Sequence, residues 1–108
     1  MSELLQMKEL LKEKADCQAR LNLIPYDGSP EIKEQSGKKY LYVRKRIAGK
    51  LTSTYVDIYF DELYQLLLRN ARDARALNKR IRQIEKELSN IGYEEATLSN
   101  RVYQNIDF

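Results

Sequence analysis

Between Ser2 and Asn22, Leu4, Met7, Leu11, Ala15 and Leu21 fall near one face at helical spacing, with Leu10 and Cys17 widening it. The stretch holds no Gly or Pro, and Lys and Glu interleave over the rest of its surface. Residues 1–22 are therefore predicted to form an amphipathic helix. Residues 23–37 lose that rhythm. Pro25, Asp27, Gly28, Ser29, Pro30 and Gly37 are turn formers, so this segment reads as a connector. Leu23, Ile24, Tyr26 and Ile32 are available to pin it to a core.

The period then changes to two. Residues 38–60 are rich in Tyr, Val, Ile and Thr, and Ala48-Gly49-Lys50 supplies a turn, which predicts a two-stranded antiparallel β-hairpin. In its first strand Leu41, Val43, Lys45 and Ile47 share one face, and Tyr40, Tyr42, Arg44 and Arg46 the other. In its second strand Thr54, Val56, Ile58 and Phe60 alternate with Ser53, Tyr55, Asp57 and Tyr59. One face is thus aliphatic and the other carries tyrosine and arginine. Two strands alone are marginal in water, so a helix must cover the aliphatic face.

From Asp61, a predicted N-cap, the period lengthens again. Leu63, Leu67, Asn70, Ala74, Leu77, Ile81, Ile84, Leu88 and Ile91 follow a 4, 3 spacing over about four heptads. A helix over residues 61–91 would be about 45 Å long. Its seam calls for the first helix, a last helix or a second copy of the chain to cover it. Gly92 is placed to end it. Leu98, Val102 and Ile106 predict a short helix over residues 94–106. The expected fold class is α+β: an N-terminal helix, a two-stranded hairpin, a long heptad helix and a short C-terminal helix in a single small domain, 1–108.

Composition narrows the chemistry more than the shape. Hydrophobic residues make up 43 % of the 108 positions and charged residues 32 %, enough for a small core and too polar for a membrane span. The first residues, Met1-Ser2-Glu3, lack the basic start and apolar run of a signal peptide. The single cysteine cannot form an internal disulfide, so the expected compartment is the cytoplasm. There is no histidine, which excludes Ser-His and Cys-His catalysis and histidine-containing zinc sites. Phosphate-loop, dinucleotide, nucleophile-elbow and CxxC motifs are absent, and Cys17 reads as a small apolar filler. Asp57, Asp61 and Glu62 cluster at the hairpin-to-helix junction, and Glu94 and Glu95 follow Gly92. Capping and helix-dipole effects account for both groups more simply than a metal or an acid–base pair. No cofactor, metal or catalytic residue is expected.

The net charge of +3 is unevenly spread. Residues 38–50 hold six basic side chains and no acid; residues 69–86 hold seven against Asp73 and Glu85. On the helix, Arg72, Arg75, Lys79, Arg82 and Lys86 fall on outer heptad positions, where solvated charge belongs. On the hairpin, two functional readings stand beside plain edge protection. Lys38, Lys39, Arg44, Arg46 and Lys50 can meet phosphates while Tyr40, Tyr42, Tyr55 and Tyr59 act as contact platforms for nucleic acid. The same face can instead meet an acidic protein surface, with the seam available for a homodimer. Asn70 within the seam either fixes register or is tolerated beside solvent.

The runs Ile24-Pro25-Tyr26-Asp27-Gly28-Ser29-Pro30-Glu31-Ile32, Lys39-Tyr40-Leu41-Tyr42-Val43-Arg44, Ser53-Thr54-Tyr55-Val56-Asp57 and Leu63-Tyr64-Gln65-Leu66-Leu67 resemble the region preceding the catalytic part of some bacterial Fic-type proteins. The segment from Arg101 to Phe108 is similar to the stretch leading into that part. Fic-type proteins transfer a nucleotide group to target hydroxyls through an HPFxxGNG-type loop. Without histidine that activity does not carry over, and the family's Ser/Thr-xxx-Glu inhibitory pattern is also missing. The resemblance implies an accessory, targeting or regulatory module, or a stand-alone relative from a mobile element; by size and lack of chemistry alone, a small phage- or plasmid-encoded inhibitor is an analogue. The expected function is a non-enzymatic module that presents the basic, tyrosine-rich hairpin to nucleic acid. The alternative is a protein-interaction or regulatory module acting through the heptad helix.

Overall fold

A computed structural model of the chain describes residues 3–92. Helix α1 (Glu3–Asn22) leads into three strands, β1 (Ser29–Gln35), β2 (Lys38–Ile47) and β3 (Lys50–Ile58), and helix α2 (Asp61–Asn90) follows. The class is α+β, but the sheet has three antiparallel strands in the order β1-β2-β3 rather than the expected two. The expected helix over residues 94–106 lies outside the described residues, as do Glu94 and Glu95.

Strand β1 lies inside the segment 23–37 expected to be a connector. Its sequence, SPEIKEQ, has one aliphatic residue and a proline, so period-two hydrophobicity is nearly silent there. An edge strand tolerates both, because a proline's missing N–H matters little where no neighbour accepts it. Pro30 pairs with Val43 and Ile32 with Leu41. Both hairpins close through two-residue turns, Ser36-Gly37 and Ala48-Gly49, with φ positive at both residues of each (52° and 78°; 51° and 81°). That is the backbone a type I′ turn requires.

Helix α2 forms without the predicted side-chain cap. Phe60, in extended conformation, is the N-cap residue, and Asp61 and Glu62 instead sit in the first turn, where negative charge suits the helix dipole. At the far end the Ile91 N–H reaches the Glu87 and Leu88 carbonyls, and Gly92 takes φ 89°, as a terminating glycine should.

Every described seam position of α2 is buried or half-buried, and the chain itself fills the seam from two sides. Toward the end of the helix, Ile84 and Leu88 pack on Leu10 of α1, with Met7, Leu11 and Ile91 around them. Toward its start, Leu67 packs on Leu41 and Val43 of β2, joined by Val56, Tyr59, Leu63 and Tyr64. The surface a seam-to-seam homodimer would use is therefore occupied. The buried stripe of α1 is rotated from the one expected: Leu10, Lys14 and Cys17 are buried, while Ala15 faces solvent and Leu4 is 76 % exposed. The helices are antiparallel and clipped together by polar pairs. Arg80 donates through Nε and Nη2 to the two Glu13 carboxylate oxygens, at 2.5 and 2.7 Å. The buried Lys14 ammonium lies 3.5 Å from Glu85 Oε2.

Candidate nucleic-acid interface

Among the described residues, no element covers the face of β2 opposite the core. Register brings Lys38, Tyr40, Tyr42, Arg44 and Arg46 of β2 onto it, beside Tyr55 and Ser53 of β3 and Glu31 and Lys33 of β1. Tyr42 and Tyr55 meet edge-to-face with ring centroids 5.4 Å apart, and Tyr40 tilts against Tyr55 at 6.3 Å. Cross-strand aromatic pairs of this kind stabilise the sheet by roughly 0.2–1 kcal/mol each. Tyr55 remains 48 % exposed, so the cluster offers a ring to a ligand as well as to itself. Partial desolvation first, then the Asp57 carboxylate, hold the Tyr55 hydroxyl above the usual phenol range. It therefore stays protonated at neutral pH and able to donate a hydrogen bond.

The cations differ in what they already touch. The Lys33 ammonium sits 4.2 Å from the centre of the Tyr42 ring, within cation–π range. Glu31 bridges two cations, with Oε2 3.4 Å from Arg44 Nη1 and Oε1 3.6 Å from Lys33 Nζ. Arg46 Nη1 donates to the Gly49 carbonyl of its own turn at 3.0 Å. Positive charge thus lies along the whole of β2, with one carboxylate beside its middle. Lys33 and Glu31 join the expected residues here; they belong to β1, whose sequence carries no strand periodicity. Only the register of β1 against β2 brings them here.

Three predicted site residues do not join this face. Lys39 pairs with Glu34 on the core side of the sheet, with its ammonium 5.9 Å from the Tyr59 ring. Lys50 pairs with Ile47 at the turn, also on the core side. Tyr59 is half-buried, tilted against Tyr64 with centroids 5.9 Å apart in the cluster around Leu67. Plain alternation puts Lys39 and Lys50 there, whereas for Tyr59 the cause is a β-bulge. Tyr42 pairs with Tyr55 but Leu41 pairs with Asp57, so Val56 is the extra residue and alternation reverses after it. The reversal turns Tyr59 inward and leaves Ile58 55 % exposed, the opposite of strict alternation.

The core side of β2 beyond the α2 contact is held by the connector. Lys45 Nζ lies 2.8 Å from both Asp27 carboxylate oxygens. Gly28 lies so close to β2 that a Cβ there would collide with the Arg44 carbonyl oxygen and come within 2.8 Å of Val43 Cγ1. These contacts fix the strand that carries the platform.

A family model described as a domain of unknown function, DUF6788, matches residues 4–65. The chain belongs to the DUF6788 family. The match takes in α1, the whole sheet and the start of α2, so every residue of the open face lies within the DUF6788 region. It gives no link to Fic-type proteins. No curated protein and no solved structure matches the chain. Among the described residues no group of three or more His, Cys, Asp or Glu side chains is placed to hold a metal ion. No described helix is long and apolar enough to cross a membrane.

Proposed function

We propose that this chain is a non-enzymatic nucleic-acid-binding module whose contact surface is the outer face of the sheet. The observation that carries the reading is the cluster of Tyr40, Tyr42 and Tyr55 on an open face lined by Lys38, Arg44 and Arg46. Phosphates supply affinity for such a surface through cations, and bases stack on exposed rings. Along β2, Lys38 and Arg46 stand about 26 Å apart at strand spacing, long enough to track several nucleotides. Glu31 tempers the charge at the centre and leaves the ends of β2 for phosphate contact. The reading keeps the chain in the cytoplasm, where a lone thiol stays reduced.

Fluorescence anisotropy with labelled single-stranded and duplex oligonucleotides tests it. Binding should weaken by at least about tenfold in the double variant Arg44→Glu, Arg46→Glu. The control Arg72→Glu, Arg75→Glu, on the exposed side of α2, should bind like the wild type. No binding at low salt, or equal loss in both double variants, would refute the reading.

A further inference from the structure

The two edges of the sheet are built differently. β1 carries Pro30, Glu31, Lys33 and Glu34, the proline and charges that block strand pairing. β3 has no charged residue, proline or glycine from Leu51 to Val56. Leu51, Ser53, Thr54 and Tyr55 are exposed there, and the backbone of α2 approaches β1 more closely than β3. A long, uncharged, exposed edge is a template for another strand.

We propose that the edge of β3 pairs antiparallel with β3 of a second copy of this chain, joining two sheets into one of six strands. The main chain is arranged for it. In a two-residue hairpin the residues flanking the turn, Ile47 and Lys50, exchange hydrogen bonds, and pairs alternate from there. Lys50, Thr52 and Thr54 therefore bond to β2, while the N–H and C=O groups of Leu51, Ser53 and Tyr55 are directed away from it. A two-fold axis through Ser53 matches these groups to themselves. It sets Leu51 against the copy's Tyr55 on the outer face, an apolar contact, and Thr52 against the copy's Thr54 on the core face, a favourable cross-strand pair. Lys50 faces the copy's Val56, so no like charges meet. The β2 cations of the two copies lie three strand spacings apart, about 14 Å, beyond the screening length of about 8 Å in physiological salt. The bulge at Val56 ends the ladder. This pairing does not depend on the nucleic-acid reading, although it would bring the two tyrosine clusters onto one continuous face.

Sedimentation equilibrium of the full chain up to about 200 µM is the test, the range suited to a small interface. The wild type should approach twice its mass of 12.8 kDa. Ser53→Lys places two ammonium groups opposite each other and should weaken the dimer by at least about fivefold. Ser53→Glu should do the same, and an equimolar mixture of the two variants should regain the dimer mass. Ser53 is exposed, so each variant should keep the wild-type circular dichroism spectrum, and Ser53→Thr should keep the wild-type mass. A wild type that stays monomeric, a dimer indifferent to Ser53→Lys, or a mixture no heavier than its components overturns the proposal.

Discussion

The Asn70 side-chain amide donates to the Pro25 carbonyl across 2.9 Å, tying the first third of α2 to the loop that leads into the sheet. The one polar residue in an otherwise apolar seam therefore has a local task. It satisfies a turn carbonyl at the point where the seam passes from α1 to the sheet. Asn70→Ala should lower stability by about 1 kcal/mol in urea unfolding, with an unchanged denaturant slope. A loss near zero would show that the bond contributes nothing in solution.

Gly28 makes a second junction between connector and sheet. Its φ is not in the left-handed region; what excludes a side chain is the Arg44 carbonyl oxygen beside it. Gly28→Ala should destabilise by about 1–3 kcal/mol, because the neighbour that must shift is main chain. Gly37→Ala has open space around it but a φ of 78°, so any cost there is backbone strain alone. Thermal melts of the two variants separate these causes.

The bulge in β3 reverses which neighbouring residue matters. Tyr59→Ala should lower stability by about 2–3 kcal/mol, whereas Ile58→Ser should stay within about 0.5 kcal/mol of wild type. Strict alternation of the strand would give the opposite ranking in chemical denaturation.

The clip between the helices has a pH signature. The hydrogen bonds from Arg80, countered in part by desolvation, hold the Glu13 carboxyl below its ordinary value of 4.5. Its folded value lies beneath its unfolded one, so the stability it contributes is complete above about pH 4.5 and is lost as pH falls through the depressed value. Arg80 is held above its usual range by the same bonds and does not titrate in this window. Melting temperatures between about pH 6 and pH 2 should fall less steeply in Glu13→Gln than in the wild type. Equal slopes would mean that the pair is open in solution.

How much of this was legible in the sequence depends on how each element signals itself. The seam of α2 is legible over its full length, because each 4, 3-spaced position from Leu63 to Ile91 is at least half-buried. The faces of β2 were equally plain: Leu41 and Val43 go inward, and Tyr40 and Tyr42 outward. β1 was not readable, since Ile32 is its only aliphatic residue and its place is set by pairing with β2. The bulge leaves no mark in hydropathy, so strict alternation puts Tyr59 and Ile58 on the wrong faces. The stripe of α1 was misplaced because Lys14, a charged residue, occupies a buried position. That Tyr40, Tyr42, Arg44 and Arg46 share one face of β2 follows from alternation alone. Glu31 and Lys33 became visible only with the third strand.

The salt dependence of oligonucleotide binding is the sharpest readout of phosphate contact by this face. If Lys38, Arg44 and Arg46 meet phosphates, the logarithm of the binding constant should fall against the logarithm of salt concentration with a slope of about −2 to −3. In the Arg44→Glu, Arg46→Glu variant the slope should flatten toward zero as affinity is lost. A wild-type affinity that does not change between about 50 and 200 mM salt, or a slope unaltered by the double substitution, would rule out phosphate contact by Arg44 and Arg46.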